Sequence, residues 1–184
     1  MIKDHDKAVI GFLWMYIFSL PLMASEHGKI INKQVTVSAT VDKVWEAWTT
    51  VEGIKSFFAP DCRIEMKVGG AYEMYFIPDA EPGFRGGEGV KILAIQPKKM
   101  LSFTWNAPPH LPNVRKQFTH VTVKFIPAGE NSTTVLLTHD GWGEGDEWDK
   151  AFAYFDGVWG QVVLQRLIYR FSVGPIDWEN PPPM

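Results

Sequence analysis

Residues 138–145 read THDGWGEG, which places His139 beside Asp140, with Trp142, Glu144 and Glu147 close behind. An imidazole titrates near neutral pH and a neighbouring carboxylate can fix its tautomer, so this cluster has the parts of a general base. The same histidine could instead hydrogen-bond the loop backbone and hold the following helix in register, and the spacing admits both roles. Gly141, Gly143 and Gly145 mark a turn, but no lysine follows as a phosphate loop requires. No serine stands in a nucleophile elbow. Cys62 is the single cysteine, which excludes an internal disulfide, and no His/Cys spacing matches a zinc site. A lone thiol of this kind reads as a small buried hydrophobe. His120 has the opposite parity to Val121 and Val123 and is expected to face solvent, while His110 falls in a proline-rich loop. Arg85 and Glu88, in a Gly-rich loop, are solvated charges or guards of an entrance. No pattern calls for a metal or a cofactor.

Aromatic side chains are the other resource. Trp45, Tyr72, Phe76, Trp105, Phe152, Phe155 and Trp159 could supply apolar contacts to a bound molecule, with His139 as the polar one. Trp48, Phe57, Phe58 and Trp148 belong to the same excess. Each ring is equally at home in a core, because a buried aromatic contributes large apolar area with or without a ligand. Tyrosine hydroxyls and indole N–H groups need partners in either setting, and a ligand's polar atoms can provide them.

The element that must position these groups is Asp146–Phe171, about 26 residues without proline, enough for a helix of roughly 39 Å. At about 100° per residue, Trp148, Ala151, Phe152, Phe155, Val158, Trp159, Val162 and Val163 form one stripe. Asp146 is the expected N-cap, Glu147 and Asp149 suit the first turn, and Arg166 and Arg170 suit the C-terminal end. Leu164, Leu167, Ile168 and Phe171 make the back of that half apolar as well. Upstream, INKQVTVSA alternates as a strand, and Thr40 caps a short helix over VDKVWEAWTT. Gly53 interrupts, and IKSFFAP makes a second helical turn that Pro60 ends. Six strands follow over residues 61–140, joined by turns and by two loops, PDAEPGFRGGEG and PPHLPNVRKQ, read as mobile. Short connections favour an antiparallel sheet, and a strongly bent one gripping the long helix buries every apolar face at once. Residues 174–184 form a proline-rich tail that extends over the surface or frays.

A chain of 184 residues, 46% hydrophobic and 14% aromatic, can build one sizeable core. A net charge of −3 without a basic run argues against nucleic acid as a partner. Lys3 and Lys7 precede an apolar run from Ala8 to Leu22, about 15 residues, short of the roughly 20 that span a bilayer. Residues 1–24 therefore read as a signal peptide cleaved between Ala24 and Ser25, and the mature protein as periplasmic or secreted. An uncleaved membrane anchor is the alternative. No stable membrane span is expected after cleavage.

The stretches VSATVDKVWEAWTTVEGIKSFFAP, Gly69-Gly70, GVKILAIQPKKMLSFTW and LLTHDGWGEGDEWDKAFAYFDGVWGQVVLQRL resemble the START-like (SRPBCC) superfamily. Within it the chain is most similar to the family named after the C-terminal domain of the activator of heat-shock-protein-90 ATPase. These stretches run from about Ile30 to Phe171, and the resemblance implies one domain over residues 30–173. It implies an α+β helix-grip fold, shared with the birch-pollen allergen: a curved antiparallel sheet around a long C-terminal helix, with two short helices after the first strand. It also implies an internal cavity for a small hydrophobic or amphipathic molecule, but no particular reaction, since the superfamily mixes carriers, cyclases, hydrolases and co-chaperones. An exported copy would not meet a cytosolic chaperone. Ligand binding beneath the C-terminal helix is thus the expected function, and a non-enzymatic one. A cyclase- or hydrolase-like enzyme in the same cavity, or a co-chaperone-type interaction module, are the alternatives.

Overall fold

The computed structural model describes residues 28–183. The segment read as a signal peptide, residues 1–24, lies outside them. Seven strands and a long C-terminal helix make a helix-grip fold. Strand β1 (Ile31–Val37) leads to helices α1 (Val41–Thr49) and α2 (Val51–Lys55). Thr40 caps α1 by accepting the Lys43 N–H. The break between the helices falls at Thr50, which ends α1 and caps α2 by accepting the Gly53 N–H. Gly53 was expected at the break but lies inside α2, and the reason is contact. A Cβ there would stand 2.3 Å from the Glu46 carbonyl oxygen of α1, so only glycine lets the two backbones meet.

Strands β4 (Ile92–Gln96), β5 (Met100–Asn106), β6 (Phe118–Gly129) and β7 (Ser132–Asp140) join β1 in an antiparallel sheet of order β1-β7-β6-β5-β4. Strands β2 (Asp61–Ile64) and β3 (Tyr72–Tyr75) form a separate two-stranded ribbon. The expected single sheet thus divides, and the ribbon is tied to the β4 edge by only a few bonds, Tyr72 N–H to Val90 O and Ile92 N–H to Gly70 O among them. The pairing of β4 with β5 slips between Ile92 and Ala94, a bulge of the kind that sharpens a sheet's twist. Leu101, Phe103, Trp105, Val121, Val123, Phe125, Val135, Leu137 and His139 all point to the buried side, as their alternation predicts.

The long helix covers that face. It comprises α4 (Asp146–Val158), a π-helical turn (Trp159–Val163) and α5 (Leu164–Ser172). It starts after Gly145 (φ 104°), so Asp146 is its first residue and not the expected cap. The π turn is a second departure from the uninterrupted α-helix read from the sequence. One inserted residue rotates everything after it by roughly 100°. Leu164 and Leu167, expected on the back, are thereby fully buried against the core.

Two further segments are more ordered than expected. The proline-rich loop carries a short helix, α3 (Pro112–Arg115), and its Leu111 and Val114 pack on Trp148 and Ala151. The C-terminal tail is pinned to α2: Ile176 is buried with its N–H on the Ser56 carbonyl, and the Trp178 indole donates to Lys55 O at 2.6 Å.

Candidate functional site

The π turn and the last inward residue of β5 face each other across a cavity of about 270 Å³. Its walls are rings. Phe58, just beyond α2, stacks on Trp105 (5.9 Å, 16°), and Trp105 meets Trp159 at 5.2 Å. Phe155 stacks on Trp159 (6.1 Å, 26°), and Phe76, past the end of β3, lies 6.1 Å from Phe58 at the exposed side. One edge of the helix completes it: Tyr154, Val158, Val162 and Arg166 all line the space. A smaller cavity of about 70 Å³ shares Phe76, Trp105, Tyr154 and Phe155, and reaches the loops at Gly87 and Pro109. Those loops are braced. Arg115 donates to the carbonyls of Gly83 and Gly86, and Glu88 accepts the N–H groups of Gly83 and Arg85.

Of the eight residues singled out in the sequence, Phe76, Trp105, Phe155 and Trp159 line this space. Trp45 packs edge-on against Phe125, and Phe152 edge-on against Trp142, both away from it. Tyr72 is fully buried in the core, its hydroxyl donating to Trp48 O at 2.7 Å, and burial drives its pKa well above the ordinary phenol value. Tyr154 and Arg166 were not singled out. With Val158 and Val162, two members of the apolar stripe, they form a row at four-residue spacing; that spacing was the available signal for Tyr154, whereas Arg166 lies beyond the π turn that sets its direction.

His139 sits behind the wall. It is fully buried, accepts the Trp159 indole N–H at Nδ1 (2.9 Å), and therefore carries its proton on Nε2, which donates to Thr119 Oγ1 (2.6 Å). The Thr119 hydroxyl passes on to Trp105 O (2.9 Å). Every member of this chain is satisfied with a neutral imidazole. Burial, with a smaller contribution from the charge of His120, lowers the His139 pKa to about 3. Both ring nitrogens are thus committed, and no carboxylate touches them. The group joins the sheet to the helix and orients Trp159; it is not arranged as a base.

Charged and nucleophilic groups outside the cavity are arranged differently. On the outer face of the sheet, Ser102 Oγ lies 2.6 Å from His120 Nε2, and His120 Nδ1 lies 3.0 Å from Asp140 Oδ1. The order is that of an acyl-transfer triad. However, Ser102 is buried mid-strand and β5 is paired on both sides, so its neighbouring N–H groups serve the ladder and leave no oxyanion cradle. Thr122 shares the same imidazole nitrogen, which makes the set a cross-strand polar ladder. Burial and the adjacent Asp61 push the Cys62 thiol up to about 11, so it stays protonated at neutral pH. A wider concavity, about 550 Å³ between α1, α2 and Arg170, is lined by Lys43, Glu46, Glu52 and the hydroxyl-bearing Ser38, Thr40, Thr50 and Ser56, without the rings of the aromatic cavity apart from Phe171. Among the described residues, no group of three His, Cys, Asp or Glu could hold a metal, and no helix is long and apolar enough to cross a membrane.

Residues 38–168 match the family model described as "Activator of Hsp90 ATPase homolog 1-like protein". No curated protein matches the chain. Among solved structures, a Mesorhizobium loti protein is similar at a TM-score of 0.60 and 20% identity, covering 76% of this chain and 94% of its own. The Aha1 dimer from Colwellia psychrerythraea is similar at 0.58 and 22%, covering 79% and 98%. An HSP90 activator from Plasmodium falciparum is similar at 0.57 and 17%, covering 76% and 94%. At such identities the likeness is one of fold.

Proposed function

Because the chain belongs to the family of activator of Hsp90 ATPase homolog 1-like proteins, whose fold sets a helix against a concave sheet, we propose that it binds a small apolar or amphipathic molecule between the two. One observation carries the reading: Phe58, Phe76, Trp105, Phe155 and Trp159 surround about 270 Å³ that protein atoms leave unfilled. Ligand sites of about 300–1,000 Å³ are lined in this way, by rings with few polar groups. Burying about 300 Å² of apolar ligand surface is worth roughly 7 kcal/mol before ordering costs, so this term alone supports binding no tighter than the micromolar range. A carrier or sensor needs nothing more. His139, neutral and doubly hydrogen-bonded, is already committed to holding Trp159 in the cavity wall, which supports a binding role over a reaction that would use it as a general base. The proposal includes export, with residues 1–24 as the signal.

The test is native mass spectrometry of gently purified full-length protein, followed by organic extraction and by tryptophan fluorescence titration with a panel of lipids and aromatics. Co-purifying small molecules, or saturable quenching lost in Trp105→Leu, support the reading. Protein that is repeatedly empty and whose fluorescence ignores the panel refutes it. A second reading, an interaction module of the Hsp90-activator type, is favoured by the family description and by the exposed apolar side chains of Phe76, Ile77 and Phe84. It predicts that Phe84→Ser and Ile77→Ser abolish a protein contact without touching small-molecule binding.

A further inference from the structure

Arg166 is the one charged side chain among the described residues around the aromatic cavity. It is half-buried, and among the described residues no carboxylate lies in ion-pair range of it and no acceptor takes its N–H groups. Arg63 binds Glu65, Arg85 donates to Ala80 O and Arg115 faces Glu88 as well as three carbonyls, whereas Arg170 likewise lacks a partner among the described residues but lies over Phe171, outside the aromatic cavity. Burial lowers the Arg166 pKa, with no nearby acid working the other way. A guanidinium does not give up its proton under ordinary conditions, so it cannot relieve that desolvation by becoming neutral. A partly desolvated, unpaired cation is costly, and an anion supplied from outside removes the cost.

The group also lies over an aromatic ring. Its carbon lies 5.0 Å from the centre of the Trp178 ring, and Trp178 is anchored in turn through its indole N–H to Lys55 O. The ring takes none of the guanidinium's N–H groups as a hydrogen-bond acceptor would, so they remain available to an oxygen acceptor. Tyr154 stands at the opposite end of the same row, twelve residues earlier, or about 18 Å along a helix at about 1.5 Å per residue. Between them the wall is apolar. The cavity therefore has one cationic end and a long ring-lined body.

We propose that the ligand is a monocarboxylate with an apolar or aromatic body, its carboxylate paired with the Arg166 guanidinium and its body lying against Phe58, Trp105 and Trp159. This rests on the cavity-binding reading and specifies the chemistry of its ligand. Carboxylate and guanidinium match as two parallel N–H···O bonds, a geometry lysine cannot reproduce.

The experiment titrates full-length protein with 4-phenylbutyrate and with its uncharged analogue 4-phenylbutanamide, by calorimetry and tryptophan fluorescence at pH 7.5. The acid is expected to bind about tenfold or more tightly than the amide, the scale of a charge-assisted pair over a neutral contact. Arg166→Gln should abolish that preference, the acid then binding no more tightly than the amide, and Arg166→Lys should restore part of it. Unfolding curves for both variants establish that they are native. Equal affinity of the two probes in the unaltered protein, or a preference that survives Arg166→Gln, overturns the carboxylate assignment and leaves the cavity reading standing. No binding of either probe at millimolar concentration overturns both.

Discussion

The hydrogen-bond chain through His139 makes a quantitative demand on stability. The imidazole accepts the Trp159 indole proton at Nδ1, and protonating that nitrogen would set two N–H groups against each other inside the core. Its pKa falls from 6.5 to about 3, chiefly through burial and secondarily through the charge of His120. The folded-state pKa is the lowered one, so this contribution is fully present above pH 6.5. Below that, the unfolded chain binds a proton that the folded one refuses until about pH 3, and stability falls with pH. The folding equilibrium constant approaches a tenfold loss per pH unit in this window, or roughly 2 kcal/mol between pH 6.5 and 4.5. His139→Gln keeps an acceptor for Trp159 and a donor for Thr119 but cannot titrate. It should be less stable at pH 7.5 by about 1–3 kcal/mol, the price of imperfect hydrogen bonds in a buried site. Urea unfolding, followed by fluorescence and circular dichroism at pH 7.5, 6.5, 5.5 and 4.5, gives both curves. Other titrating groups are common to both proteins, so their difference isolates residue 139. The gap should narrow steadily below pH 6.5 and then close or reverse. Parallel curves over the whole range would refute the neutral, doubly bonded imidazole.

Gly53→Ala should cost about 2–3 kcal/mol or prevent accumulation of folded protein, because its Cβ would meet the α1 backbone at Glu46 and Ala47. The matching control is Gly157→Ala on α4, where only the flexible Gln161 side chain lies near; thermal melts should show it neutral or stabilised by up to about 1 kcal/mol. A fluorophosphonate probe should leave Ser102 unmodified despite its hydrogen bond to His120, since the buried hydroxyl has no oxyanion donors beside it. Covalent labelling found there by peptide mass mapping would mean that the outer face does chemistry. Export predicts that the mature protein begins at Ser25, as read by N-terminal sequencing of secreted or periplasmic material; an intact Met1 in a membrane fraction would favour the anchor.

Much of this protein could be read without coordinates. Alternation along β5, β6 and β7 identifies the buried side chains, His139 included, because a strand's period of two depends only on its own backbone. Thr40 as a cap, the paired short helices and the apolar stripe of the long helix are equally local. Phe76, Trp105, Phe155 and Trp159 could be named as candidate contacts for the same reason.

What the sequence could not supply depends on distant partners. The π turn appears where the helix must keep Trp159 against His139 and also bring Leu164 and Leu167 to the core, a compromise between the sheet's position and the helix's natural repeat. Tyr72 leaves the cavity for the core because the Trp48 carbonyl is within reach of its hydroxyl. Ser102, His120 and Asp140 meet only through the register of three strands. Arg166, which suits a helix end when read alone, faces the cavity because the π turn sets the helix's rotation and the folded-back tail places Trp178 beneath it. Periodicity is written into neighbouring residues, whereas rotation, register and unfilled volume are sums over contacts between residues far apart in the chain.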